Sequence, residues 1–270
     1  MPPRRMIRAR RADGHRVVVL DRPERRNALA PEDLDRLAAA VTEATESVVL
    51  VRGAGEAFCA GADLDAVDRL DDPEAFARHG QATMRAVADA DPVVVAGVDG
   101  PARGGGVELA LACDLRVATP AATFAEPGVS LGLLGAWGGT RRLPRVVGES
   151  DAVDLSVSGR VVGPEAARRM GLVSRVVAPD ELAGVAREIA ANDADATAVV
   201  RDLLRAAPDR DREPHEAAEA AAFAACHRRR DLAERSSPTD AGDSGVASDG
   251  RTDARAETGD DVGSEPGRHE

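Results

Sequence analysis

Residues 100–115 read GPARGGGVELALACDL, in which three consecutive glycines run into a helical pattern that carries Glu108. Glycine has no Cβ, so a ligand can touch the backbone there, and the unpaired N–H groups of a helix's first turn attract negative charge. A carboxyl group beside such an anion site combines a proton carrier with an oxyanion stabiliser. The segment FCAGADL, residues 58–64, again sets a glycine among small residues after an apolar run, where backbone amides can face a ligand. Taken singly, each segment also fits a bland role. Acids are favoured in a helix's first turn whatever their function, and Gly-rich segments make tight turns.

Other chemistries find less support. The five histidines show no HxxxH or HExxH spacing, and Cys59, Cys113 and Cys226 form no CxxC pair, so no metal site and no disulfide framework is expected. All 35 basic residues are arginine, which removes the lysine that a Walker-type phosphate loop needs. GVSLG, residues 128–132, matches the nucleophile-elbow pattern, with Ser130 as nucleophile and His215 or His227 as base. Its flanks, Glu126-Pro127 before and a glycine-rich stretch after, are not the strand and helix an elbow requires. The net charge of −12 argues against binding a phosphate backbone. A GC-rich genome accounts for arginine in place of lysine, and the acid excess, which it does not explain, suggests a halophilic source.

The elements that must position these residues are legible as alternating patterns. RVVVLDR near 16, SVVLVRG near 47, DPVVVAGVDG near 91 and DLRVAT near 114 read as buried strands. PEDLDRLAAAVTEA and PEAFARHGQATMRAVADA begin with proline and acids and space their apolar residues as helices do. An α/β layered fold follows, with a core of Val, Leu and Ala because only 2% of residues are aromatic. Beyond Pro179 only helical patterns remain. Three regions are expected: a core over 1–180, a helical region over 181–235, and a tail over 236–270. The tail holds nine acids against three arginines and no Leu, Ile, Phe or Met, so disorder is expected there. The N-terminus lacks a signal peptide's apolar centre and no run is long enough to span a bilayer, which points to a cytoplasmic protein.

Five segments in order, LDRPERRNAL (20–29), FCAGADL, GPARGGGVELALACDL, FAEPGVSLGLLGAWGGTRRLPRVVG (124–148) and SGRVVGPEAARRMGLVSRVV (158–177), resemble the enoyl-CoA hydratase/isomerase family, also called the crotonase family. The resemblance covers roughly residues 15–230. It implies a spiral of ββα turns with a C-terminal helical region, a homo-trimer or hexamer, and an acyl-CoA substrate with no separate cofactor. It puts the two oxyanion donors on the backbone N–H groups of Ala62 and Gly105 and the first acid/base on Glu108. For CoA it implies Arg25 and Arg26 at the phosphates and Ala60, Asp63 and Leu64 at the adenine. Gly104, Gly128 and Trp137 fall on the substrate side, with Trp137 lining the acyl pocket or packing a loop.

One departure stands out. Where the family commonly carries a second glutamate, this chain has Gly128. Three readings stay open. Glu126, two residues earlier, can reach the site if the segment is extended; Glu108 can carry the protons alone, as in an isomerase, decarboxylase or unusual hydratase; or an anion or substrate carboxylate fills the space. A decarboxylase or synthase type is the alternative to a hydratase. A silent CoA-binding scaffold is the rival from another class.

Overall fold

Buried valine runs pair into one sheet. A computed structural model describes residues 6–236 of the chain, with side chains to residue 230. The strands and helices follow in the order β1 (Ile7–Ala12), β2 (His15–Leu20), α1 (Pro31–Thr42), β3 (Val48–Gly53), α2 (Leu64–Val67), α3 (Pro73–Ala88), β4 (Val93–Val98), β5 (Pro101–Arg103) and α4 (Gly105–Ala112). They continue as β6 (Leu115–Ala118), β7 (Thr123–Ala125), α5 (Gly139–Val147), α6 (Glu149–Ser158), α7 (Pro164–Arg169), β8 (Arg175–Val176), α8 (Leu182–Ala190), α9 (Ala194–Ala206) and α10 (Arg212–Ser236). The six-stranded sheet runs β1-β2-β3-β4-β6-β8, antiparallel at β1-β2 and parallel elsewhere. β4 is buried at every position, as a central parallel strand covered on both faces must be. The expected α/β architecture is present.

The sheet has a different layer on each face. On one side α1, α3 and α4 pack through Leu34, Leu37, Met84, Val87 and Leu109. On the other, Leu182, Val185 and Ala186 of α8 cover Leu50, Val95 and Val117. Helix α8, grouped from the sequence with the C-terminal helices, thus has its apolar face on the sheet. Of the described residues, 6–226 form one compact unit and those from His227 belong to a second. Residues 237–270, nearly all of the tail expected to be disordered, lie outside the described residues.

A second, slighter ladder positions the site. β5 pairs with β7, and isolated bridges link Leu29 to Ala62, Cys59 to Ala102 and Phe124 to Val162. This ladder draws LDRPERRNAL, FCAGADL and the triglycine segment together. Asn27 locks it from below. The residue is fully buried in a left-handed conformation (φ 58°), which asparagine tolerates better than most residues. Its Nδ2 donates to the Ala54, Ala57 and Phe58 carbonyls, and its Oδ1 accepts from Arg22 N. Replacing it with alanine takes the donor away from the carbonyls of the buried residues Ala57 and Phe58. Asn27→Ala is expected to cost about 3 kcal/mol of stability, read from the urea midpoint at unchanged slope.

Candidate active site

The three glycines of the opening motif are each required for a different reason. Gly104 adopts φ 48°, ψ −116°, which turns the chain from β5 into α4. A Cβ on Gly106 would stand 2.1 Å from the Cys59 carbonyl oxygen, so only glycine lets α4 lie against the 58–62 segment. A Cβ on Gly105 would fall 2.4 Å from the indole of Trp137. Gly61, at φ 88°, meets the same segment from the other side, where a Cβ would lie 2.7 Å from Arg103 O and 2.9 Å from Gly105 N. These approaches bring Ala62 and Gly105 to one cavity wall. Leu29 N donates to Gly61 O and Asp63 N to Leu29 O, so the bridge consumes the groups on either side of Ala62 N. Neither Ala62 N–H nor Gly105 N–H has an acceptor among the described residues.

The cavity holds about 370 Å³, lined on its polar side by Ala62, Gly105, Glu108 and Glu126. Its apolar side comes from Val67, Leu70, Phe76 and the exposed leucines 131, 133 and 134. Helix α3 supplies Phe76, which the sequence reading counted only as part of a helical pattern.

Glu108 is 1% exposed, and its Oε1 accepts from Trp137 N at 2.8 Å and Gly139 N at 2.7 Å. Burial raises its pKa, and the two amides with the more distant Arg142 pull it part of the way back. Glu126 sits at the end of β7 and shares the cavity. A Cβ on Gly135 would lie 3.1 Å from Glu126 Oε2 and 3.2 Å from Glu108 Oε1, so the two carboxyl groups flank one point. Glu126 Oε1 has no hydrogen-bond partner among the described residues. Burial, and then the charge of Glu108, push its pKa up to about 8. One carboxyl is thus tied as an acceptor by two amides, and the other keeps its proton.

Gly128 shows what became of the second-glutamate position. A Cβ there would be 3.0 Å from Leu133 O and 3.2 Å from Leu134 Cα. Backbone fills the direction in which a side chain would leave.

The remaining expected residues divide. Ala60, Leu64, Gly104, Gly128 and Trp137 line the cavity. Arg25, Arg26 and Asp63 do not line it. Asp63 accepts from Arg22 at 2.8 Å and Arg25 at 3.1 Å, and Arg25 also pairs with Asp65. Burial alone would raise the Asp63 pKa, but Arg25 and Arg22 outweigh it and hold the carboxyl below its usual range. These pairs join the 20–29 loop to the start of α2. The sequence reading missed Arg22, Gly135 and Gly139, whose parts emerge only when distant segments meet. Ser130 lies in a single 3-10 turn and its Oγ donates to Pro127 O, a local capping bond.

A model of the family described as enoyl-CoA hydratase/isomerase matches residues 11–236. The chain belongs to that family. A crotonyl-CoA hydratase of Syntrophomonas wolfei is 38% identical over 181 residues, 64% of this chain and 70% of its own length. Among solved structures, the Bacillus anthracis enoyl-CoA hydratase superposes with a TM-score of 0.75 at 28% identity, over 87% of this chain and 98% of that one. A Thermobifida fusca protein solved in complex with CoA gives 0.76 at 27%, over 85% and 95%. The fold is therefore crotonase-like. No helix among the described residues is long and apolar enough to cross a membrane.

The raised pKa of Glu126 has a cost that can be measured without substrate. A carboxyl that binds its proton more tightly when folded destabilises the fold as pH rises from the ordinary glutamate range through its folded pKa. Glu126→Gln removes that cost. Its melting temperature is expected to lie close to the parent's near pH 5, exceed it increasingly up to about pH 8 and hold a constant margin above, by thermal scanning across pH.

Proposed function

We propose that this protein hydrates 2-enoyl-CoA thioesters, with Glu108 and Glu126 as the acid/base pair. The observation that carries the reading is two carboxyl groups of unlike environment lining one apolar cavity together with two unpaired amides. The thioester carbonyl oxygen accepts from Ala62 N–H and Gly105 N–H, and each such donor is worth about 3 kcal/mol as negative charge gathers on that oxygen. Water adds its oxygen to C3 and gives a proton to the Glu108 carboxylate, which two amides orient and whose ionised form they favour. The resulting enolate takes the proton of Glu126 at C2. Transfer of the proton from Glu108 to Glu126 restores the starting state.

This reading favours the first of the three accounts of Gly128. The backbone of residues 133–134 beside Gly128 leaves little room for an anion, and the unpartnered Glu126 Oε1 supports a working carboxyl. The bridges that run beside the main sheet are consistent with a spiral of ββα turns. Exposed Val200 and Leu204 on α9 support assembly into a cytoplasmic homo-trimer or hexamer. CoA is part of the substrate, so no further cofactor is needed, and Arg26, which has no acid partner among the described residues, stays the better phosphate contact of the arginine pair.

Crotonyl-CoA hydration, followed by loss of thioester-conjugated absorbance, tests the assignment against a silent scaffold, which gives no turnover. Glu108→Gln and Glu126→Gln are each expected to lower kcat by about 10² to 10⁴. Because Glu126 must be protonated, kcat should fall as pH rises through about 8. That basic limb should vanish in the residual activity of Glu126→Gln. Unchanged turnover in Glu126→Gln would leave the proton chemistry to Glu108 alone. The acid excess also supports the halophilic reading, under which the melting temperature should climb between dilute buffer and molar KCl.

A further inference from the structure

Helix α3 carries a glycine on its buried face. Gly80 lies among Thr83, Met84 and Val87, where alanine would be the better helix former, so some contact must exclude a Cβ. That contact is Trp137. A Cβ on Gly80 would stand 1.9 Å from Cδ1 of the indole and 2.1 Å from Nε1. The far edge of the same ring meets Gly105, where a Cβ would stand 2.4 Å from Cζ3 and 2.6 Å from Cε3. The indole therefore fills a slot with a glycine on each wall, one from α3 and one the second oxyanion donor. Phe76 meets the ring edge-on at 5.8 Å, and Gln81 Nε2 donates to Ala136 O at 3.0 Å, so α3 grips both the ring and its loop.

The backbone of the same residue holds the other half of the chemistry, since Trp137 N donates to Glu108 Oε1. An ordinary core aromatic packs on side chains that can shift. This one abuts the backbone of Gly80 and Gly105, which cannot yield without moving α3 or α4.

We propose that Trp137 is a positioning residue: its indole, wedged between Gly80 and Gly105, fixes the spacing between the Gly105 N–H and the Glu108 carboxylate that its own amide holds. The inference rests on the oxyanion role given to Gly105 above. It predicts that the site is sensitive to a methyl group placed on α3, away from the substrate.

A double-mutant cycle with Gly80→Ala and Trp137→Ala tests it. Gly80→Ala with the indole present displaces the ring and is expected to lower kcat for crotonyl-CoA roughly 10- to 100-fold, with KM little changed. In the Trp137→Ala background the same substitution has nothing to displace and should change kcat little, so the two effects are strongly non-additive. Trp137→Phe should recover part of what Trp137→Ala loses. Two spectroscopic readouts need no turnover. Trp137 is the only tryptophan, so its emission should shift to the red in Gly80→Ala. The near-ultraviolet enolate band of bound acetoacetyl-CoA, which reports the oxyanion donors, should weaken. A purely structural role would lower the melting temperature while leaving kcat per folded molecule and the enolate band intact. That result, or additive effects, overturns the proposal. If the parent protein shows the band but no hydration, the hydratase reading fails and the wedge is judged on the band; if it shows no band, both fall.

Discussion

The approach of the 58–62 segment to residues 101–106 is the constraint on which everything else in the site depends. Phe58 N and Cys59 N both donate to Pro101 O, and Arg103 N returns a bond to Cys59 O, so two loops are laid edge to edge as if in a sheet. Such a contact leaves no room for side chains at its closest points, which is why Gly61 and Gly106 face it. Asn27 then fastens the chain leading into the first loop from beneath, with bonds to the Ala54, Ala57 and Phe58 carbonyls. Two amides are left over at the end of this pairing, and they belong to Ala62 and Gly105.

Electrostatics completes what the backbone begins. An apolar cavity penalises every charge placed in it, and two carboxylates facing one point penalise each other as well. The chain resolves this by asymmetry. Glu108 receives two backbone donors, which favour its ionised form, while Glu126 receives none at Oε1 and retains its proton into mildly alkaline solution. Unlike surroundings give two identical side chains different proton affinities, with Glu126 the more strongly raised.

Much of the scaffold was legible because parallel strands buried on both faces must be apolar runs, as in VVLVRG and VVVAGV. β1 was not, since IRARRA is a charged edge strand with four consecutive exposed residues. β5 and β7 span three residues each, too few for any period to show. In the site, the triglycine run and Glu108 stand out locally as glycines leading into a helix beside a carboxyl, whereas Ala62 is singled out only by the family resemblance, since what leaves its N–H unpaired is a bridge to distant Leu29. Gly80, Gly135 and Gly139 do not stand out, since each is a glycine on account of a side chain far away in the chain. Arg25 shows the converse: its charge suited a phosphate, but Asp63 and Asp65, remote in sequence, hold it.

The position of Glu126 separates two demands that an enzyme usually has to reconcile. The carboxyl stands at the end of β7, where Gly104 N donates to Ala125 O and β5 pairs alongside, so it shares the rigidity of the ladder that carries Ala62 and Gly105. Leu131, Leu133 and Leu134, by contrast, line the cavity from an exposed turn. Residue 128, unlike Glu126, lies within that turn. The cavity thus takes this carboxyl from the residue that joins strand to turn and part of its apolar lining from the turn itself, so the leucines can vary without displacing the carboxyl.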